Sequence, residues 1–183
     1  MANYSRELMS AITAAAMPEQ PIPFEPWASR PAILSFLGDA LKAVFAVWIV
    51  RYLLFPGLGD VTKILETVTA LGVVIGHNYP FYMHFKGGKG IAATGGFMFA
   101  LDVRIALIAA IVFAVVFFTT RYVSVGSLTI TALFPILMLI FYPGQWVVFG
   151  LSLIFTALAW WRHRANIKRL MNGTENKFEK KKK

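Results

Sequence analysis

From residue 32 onward, apolar residues run in long blocks separated by short polar connections. Six blocks stand out, at 32–55, 62–76, 90–101, 104–120, 124–142 and 146–161. Several approach the roughly 20 residues a helix needs to cross the hydrocarbon core of a bilayer. A membrane barrel would instead show alternating segments of about ten residues and many more turns. The pattern therefore predicts an all-α, polytopic membrane protein with about six transmembrane or half-membrane helices. The third block, "GIAATGGFMFAL", is short for a full span and rich in small residues. Pro135 falls inside the fifth block and should kink it, a tolerance common in membrane helices.

The text before residue 32 is different. "MPEQPIPFEPWASRP" holds five prolines and no helical period, which predicts an extended, poorly ordered segment. The preceding run "LMSAITAAAM" is too short, and too soon followed by prolines, to be a secretory signal. The expected organisation is an atypical N-terminal segment (1–31), a helical membrane domain (32–170) and a basic tail (171–183).

Composition agrees with the pattern. Of 183 residues, 57% are hydrophobic and only 15% charged, where a soluble domain would be nearer a quarter charged. Cysteine is absent, which excludes disulfides, thiolate catalysis and thiolate metal sites. The net charge is +9, yet no soluble domain exists to gather it for nucleic acid. Its distribution fits a membrane instead. Lys86 and Lys89, then Arg121, then Arg162, Arg164, Lys168, Arg169 and the terminal lysines fall on alternate connections. The other set carries Arg51, Lys63 and Arg104, diluted by Asp60, Glu66 and Asp102. The positive-inside rule places the first set and the C-terminus in the cytoplasm.

Three polar stretches thus share one membrane face. In "FKGGKG" (85–90), glycines allow close backbone approach and their amides can form an anion-binding nest. Lys86 and Lys89 add point charges suited to phosphate, and Gly90 opens a helix whose first amides also favour an anion. The plainer reading is a positively charged anchor on a flexible turn. A Walker A loop is excluded, because no Ser or Thr follows the lysine. In "TRYVSVGS" (120–127), Arg121, Ser124 and Ser127 could complete a phosphate-and-hydroxyl site, or simply anchor and cap a helix. In "WWRHRANIKRLMNGTENKFEKKKK", His163 and Asn166 would share a helix face, inside what could equally be a basic juxtamembrane helix meeting anionic lipid. Asp39 and Lys42 form an i, i+3 pair inside the first block, by default a functional feature in a membrane helix.

The available chemistry is narrow. A His-x4-Asp acyltransferase dyad is absent, since Tyr82, Lys89 and Lys168 occupy the fifth positions after the three histidines. There is no Gly-x-Ser-x-Gly elbow, and metal ligands are too few and too dispersed. What remains suits electrostatic stabilisation of phosphate groups.

"GHNYPFYMHFKGGKGIAAT", "TRYVSVGSL" and "WRHRANIKRLMNGTE" resemble the second, third and C-terminal motifs of the bacterial acyl-phosphate:glycerol-3-phosphate acyltransferases (PlsY type). "SFLGDALKAV" resembles that family's helix leading away from its first motif, and the similarity covers about residues 31–178. The resemblance implies a multi-pass enzyme of the bacterial cytoplasmic membrane, working beside membrane lipid without metal or other cofactor. It would move a fatty acyl group from acyl phosphate to the first hydroxyl of glycerol 3-phosphate, giving lysophosphatidate. It implies a catalytic set of His163, Asn166, Ser124 and Lys89. The implied substrate-binding set is Lys86, Gly87, Gly88, Gly90, Thr94, Arg121, Ser127 and His77, the last holding the loop. It also implies a seventh helix and a first-motif loop that residues 1–30 do not contain. A truncated or frame-shifted reading is one expectation; a non-catalytic subunit binding anionic lipid is the alternative function. An organophosphate transporter would also place lysines at broken helices, but its inverted repeats are not visible.

Overall fold

The computed structural model describes residues 30–178, and side chains from residue 33. The expectations for residues 1–29 and for the terminal lysines lie outside the described residues. Residues 1–35 and 36–183 form separate units; of the first, only the helical start at residues 30–35 is described.

The described residues form seven α-helices: α1 (Arg30–Ile49), α2 (Asp60–Asn78), α3 (Ile91–Leu101), α4 (Val103–Thr120), α5 (Val123–Phe141), α6 (Trp146–Arg162) and α7 (Arg164–Met171). A π-turn at Val50–Leu54 prolongs α1. Each of the six apolar blocks corresponds to one of α1–α6. Three stretches, Ile33–Leu54, Val103–Thr120 and Val123–Phe141, are long and apolar enough to cross a membrane. The helix α3, with 11 residues, is about 16 Å long at the standard rise, roughly half the hydrocarbon thickness.

Burial explains the small residues of α3. Ala93, Thr94, Gly96, Phe97, Met98, Ala100 and Leu101 are all buried, and the less buried side, with Ala92, Gly95 and the exposed Phe99, is apolar too. Phe97 stacks on Phe155 of α6 at 5.2 Å between centroids and meets Phe134 of α5 edge-on at 5.9 Å. Gly96 lies against α1 so closely that a Cβ would collide with the Ala40 carbonyl oxygen. Neither backbone can yield cheaply. Gly96→Ala is therefore expected to lose about 1–3 kcal/mol, the usual cost of overpacking, read as a lower unfolding midpoint in detergent. Gly95→Ala is its control, because nothing lies within 4 Å of a Cβ there.

Pro135 sits inside a continuous α5. A proline lacks the N–H that would pair with the carbonyl four residues earlier, here that of Thr131. Thr156 of α6 supplies a substitute, its Oγ1 donating to the Thr131 carbonyl at 2.7 Å.

Polar groups concentrate at the two ends of the bundle. At one end Arg51 makes two 2.6 Å bonds to the buried Glu66, Gln145 donates to Asp60 at 2.6 Å, and Asp102 caps α4 and accepts from Tyr142. The other end carries the three stretches singled out from sequence.

Candidate active site

The loop between α2 and α3 is the centre of this end. Its glycines fit it against the last turn of α2. The Gly87 and Gly88 amides donate to the Asn78 and His77 carbonyls, each at 3.2 Å. A Cβ on Gly87 would strike the His77 carbonyl, and one on Gly88 would strike the His77 ring. Two of the amides expected to face an anion are thus spent inside the loop. The reason for glycine at these two positions is close approach to α2.

The carbonyls of the same glycines face Arg162. Its Nη2 donates to Gly87 O at 2.6 Å and its Nε to Gly88 O at 3.0 Å, and the guanidinium lies 5.0 Å from the centre of the Tyr79 ring. Behind the loop, His77 Nδ1 lies 3.2 Å from Asp39 Oδ1 and 2.9 Å from Lys42 Nζ. The Asp39–Lys42 pair, itself at 2.6 Å, therefore backs the loop through His77.

Gly90 caps α3 with a left-handed φ of 78° and no side-chain cap. A Cβ there would press on Val74 and on Asn78 Oδ1, at 2.8 and 2.9 Å. The first amides of α3 are left without a side-chain acceptor, the usual condition of an anion-receptive helix start. Beside them, Asn78 is fully buried with neither side-chain polar atom bonded. Thr94 closes the first turn, its Oγ1 donating to Gly90 O at 2.8 Å.

Lys89 reaches across to α7. It is exposed as a residue, but its Nζ donates to Asn166 Oδ1 at 2.7 Å. Asn166 Nδ2 donates in turn to Glu175 Oε1 at 2.6 Å, and Arg169 Nε to Glu175 Oε2 at 2.8 Å. The bonds to Lys89 and to Glu175 fix the orientation of the buried Asn166 amide. Withdrawal from water lowers the Lys89 pKa, the Arg169 and Arg162 charges lower it further, and Glu175 opposes them.

His163 joins α6 to α7 and is 2% exposed. Its Nδ1 lies 2.7 Å from the Ala159 carbonyl. A carbonyl can only accept, so Nδ1 carries the proton, and in the neutral ring Nε2 keeps its lone pair. Burial lowers its pKa and the nearby Lys89 charge does the same, against the Ala159 bond and the Glu175 charge. Burial and the Lys89 charge favour the neutral imidazole, whose Nε2 is then an acceptor.

From the third stretch, Ser124 is buried without a hydrogen-bond partner, near the Glu175 carboxylate. Ser127 Oγ donates to the Val123 carbonyl at 3.0 Å. Arg121 ends α4 with φ 65° and an exposed side chain, and its carbonyl accepts from Phe178 N at 2.9 Å. Lys86 is exposed on the loop. The structure joins Lys89, Asn166 and Glu175 by hydrogen bonds, with His163 and Ser124 beside them. His77 and Gly88 meet on the other side of the loop. Thr94 and Ser127 bond to backbone carbonyls of their own helix starts, and Lys86 and Arg121 are exposed.

Glu175 was not among the residues expected here, although it ends the "NGTE" of the C-terminal motif. Burial alone would raise its pKa, but hydrogen bonds from Asn166 and Arg169, with the nearby Ser124 and the Arg169 charge, outweigh that and hold it below the ordinary glutamate value. With the folded value below the unfolded one, its stabilisation is present above the ordinary glutamate range and is lost as pH falls through the folded value. Amide exchange at residues 173–178 is expected to rise on such acidification while α3 stays protected. Unchanged exchange would mean that the carboxylate does not hold this segment.

Over most of its length the chain is similar to known proteins. The glycerol-3-phosphate acyltransferase family model matches residues 26–173. A glycerol-3-phosphate acyltransferase of Syntrophomonas wolfei is 38% identical over 148 residues, covering 80% of this chain and 71% of the relative. One of Clostridioides difficile is 39% identical over 153 residues, covering 84% and 74%. Among solved structures, PlsY (YgiH), an integral membrane glycerol 3-phosphate acyltransferase, matches in its glycerol 3-phosphate form. The TM-score is 0.72 at 34% identity, over 81% of this chain and 72% of that one. The lysophosphatidic acid form matches equally, with a TM-score of 0.72 at 34% identity, over 81% and 73%. On the family model and these relatives, the chain belongs to the glycerol-3-phosphate acyltransferase family, whose fold it shares as an all-helical membrane protein.

Proposed function

We propose that this protein transfers a fatty acyl group from an acyl phosphate to the first hydroxyl of glycerol 3-phosphate, releasing lysophosphatidate and inorganic phosphate. The observation that carries this reading is the run Lys89–Asn166–Glu175 beside the neutral, acceptor-bearing His163. It supplies a partly desolvated cation and a lone pair within one small volume. The solved relatives described above, in their glycerol 3-phosphate and lysophosphatidic acid forms, support the acceptor and the product.

An acyl phosphate is a mixed anhydride with a good leaving group, so the reaction asks for positioning and charge compensation more than for a strong base. Lys89, with the uncapped first amides of α3, holds phosphate. Lys86 and Arg121 add positive charge at the rim, and Ser124 and Ser127 offer hydroxyls to substrate oxygens. His163 Nε2 accepts a hydrogen bond from the glycerol hydroxyl and orients it. The hydroxyl oxygen attacks the acyl carbon, the bond from that carbon to the phosphate oxygen breaks, and a phosphate oxygen takes the hydroxyl proton. Gly87, Gly88, Gly90, Thr94 and His77 keep the loop in place. The membrane is the bacterial cytoplasmic membrane, with this end of the bundle and the C-terminus on the cytoplasmic side.

The test is conversion of radiolabelled glycerol 3-phosphate by the purified full chain with palmitoyl phosphate as donor. Labelled lysophosphatidate should form, with equimolar phosphate. No turnover would overturn the reading and favour a non-catalytic lipid-binding role, and turnover only with a different activated acyl donor would overturn acyl phosphate as the donor.

A further inference from the structure

Phe81, Tyr82, Met83 and Phe85, in the turn between Tyr79 and Lys86, are 79%, 74%, 51% and 64% exposed. The roles assigned above use none of these four side chains. The turn itself is closed: Phe81–Met83 is a single 3-10 turn, Phe85 N donates to Pro80 O at 3.0 Å, and Lys86 N donates to Met83 O at 3.0 Å. His84 and Phe85 both take left-handed φ values, 52° and 59°. That conformation is unfavourable for any residue with a Cβ. A turn facing water would ordinarily place Gly or Asn there. The chain instead accepts the strained backbone and points apolar side chains outward.

Depth is set by α6. Its last residues include Trp160 and Trp161, 45% and 60% exposed, with the Arg164 guanidinium 4.8 Å from the Trp161 ring centre. Exposed tryptophans at the end of an apolar helix mark the bilayer–water boundary. The next residue, Arg162, holds Gly87, Gly88 and Tyr79. Both sides of the apolar turn are therefore fastened to the helix end that carries the tryptophan pair.

We propose that residues 81–85 form a wedge inserted into the bilayer interface on the site's side of the membrane. Phe81, Tyr82, Met83 and Phe85 enter the headgroup–acyl boundary, and Lys86 meets anionic headgroups just above it. Phe81 and Tyr82 pack edge to face at 5.5 Å, giving the wedge a firm tip. The wedge holds the Lys86–Gly90 loop at the depth that α6 sets.

The natural chain has no cysteine, so Tyr82→Cys creates a unique point for a nitroxide label. The labelled full chain, in vesicles of phosphatidylethanolamine and phosphatidylglycerol, is measured by its collisions with oxygen, which concentrates in lipid, and with a water-soluble nickel chelate. Ile111→Cys, at an exposed position inside α4, gives the lipid reference. Asn172→Cys, exposed beyond α7, gives the water reference. The oxygen-to-nickel ratio at position 82 should exceed that at 172 several-fold and approach that at 111. Met83→Cys repeats the measurement, so a poorly folded variant at one position leaves the other decisive. Labels at 82 and 83 as open to the nickel chelate as that at 172 would overturn the wedge.

Discussion

Lys89→Ala is expected to lower kcat/KM for glycerol 3-phosphate by about 10²–10³-fold, the range seen when one preorganised stabilising group is removed from an active site. The side chain does two things at once. Its ammonium group brings charge to a place partly withdrawn from water, which lowers its pKa, and it fixes Asn166 Oδ1 at 2.7 Å. Exposed charges are worth only about 0–1 kcal/mol in ion-pair contacts, so Lys86→Ala, at an exposed position outside the chain of bonds from Lys89 through Asn166 to Glu175, should cost far less and act mainly on KM. The contrast is the test. Steady-state rates with both substrates varied should give a large loss in kcat for Lys89→Ala and a small one for Lys86→Ala. Near-normal activity of Lys89→Ala, in protein that unfolds like the parent, would remove this lysine from the mechanism.

How far the site could be read in advance differs residue by residue. The blocks at 104–120 and 124–142 lie almost on α4 and α5, Val103–Thr120 and Val123–Phe141, because a long apolar run leaves a helix little choice in a bilayer. The pairing of Lys89 with the region of Asn166 follows from charge placement, since both fall on the basic side. The use of the loop amides did not follow. Gly87 and Gly88 look like a phosphate nest because glycine is permissive, yet their N–H groups close onto Asn78 and His77. Amide direction depends on how the loop folds back on α2, and that contact is tertiary. Glu175 was hidden for a related reason. Among polar tail residues nothing local distinguishes a solvated glutamate from one whose carboxylate is 7% exposed, and its partners lie six and nine residues away on α7. The tautomer of His163 needed a single structural fact, the Ala159 carbonyl at 2.7 Å.

At the far end of the bundle, Arg51→Ala is expected to destabilise the fold by about 3–5 kcal/mol, the cost of stranding a buried charge. Glu66 is 1% exposed within α2, and both carboxylate oxygens accept from Arg51, from Nε and from Nη2, at 2.6 Å each. The arginine reaches it from the π-turn at Val50–Leu54, closed by Phe55 N donating to Val50 O at 3.0 Å. Such a turn carries one extra residue per hydrogen-bonded ring relative to an α-helix, which changes the direction in which its side chains leave the axis. Removing the cation leaves a carboxylate with neither water nor counter-charge, and the helix must unpack or take up a proton. Arg51→Met combined with Glu66→Leu removes both charges and keeps the volume, so it should recover most of the loss. Unfolding midpoints of the two variants in the same detergent decide the matter. If the double variant is as unstable as Arg51→Ala, the deficit comes from lost packing around the π-turn and not from the uncompensated Glu66.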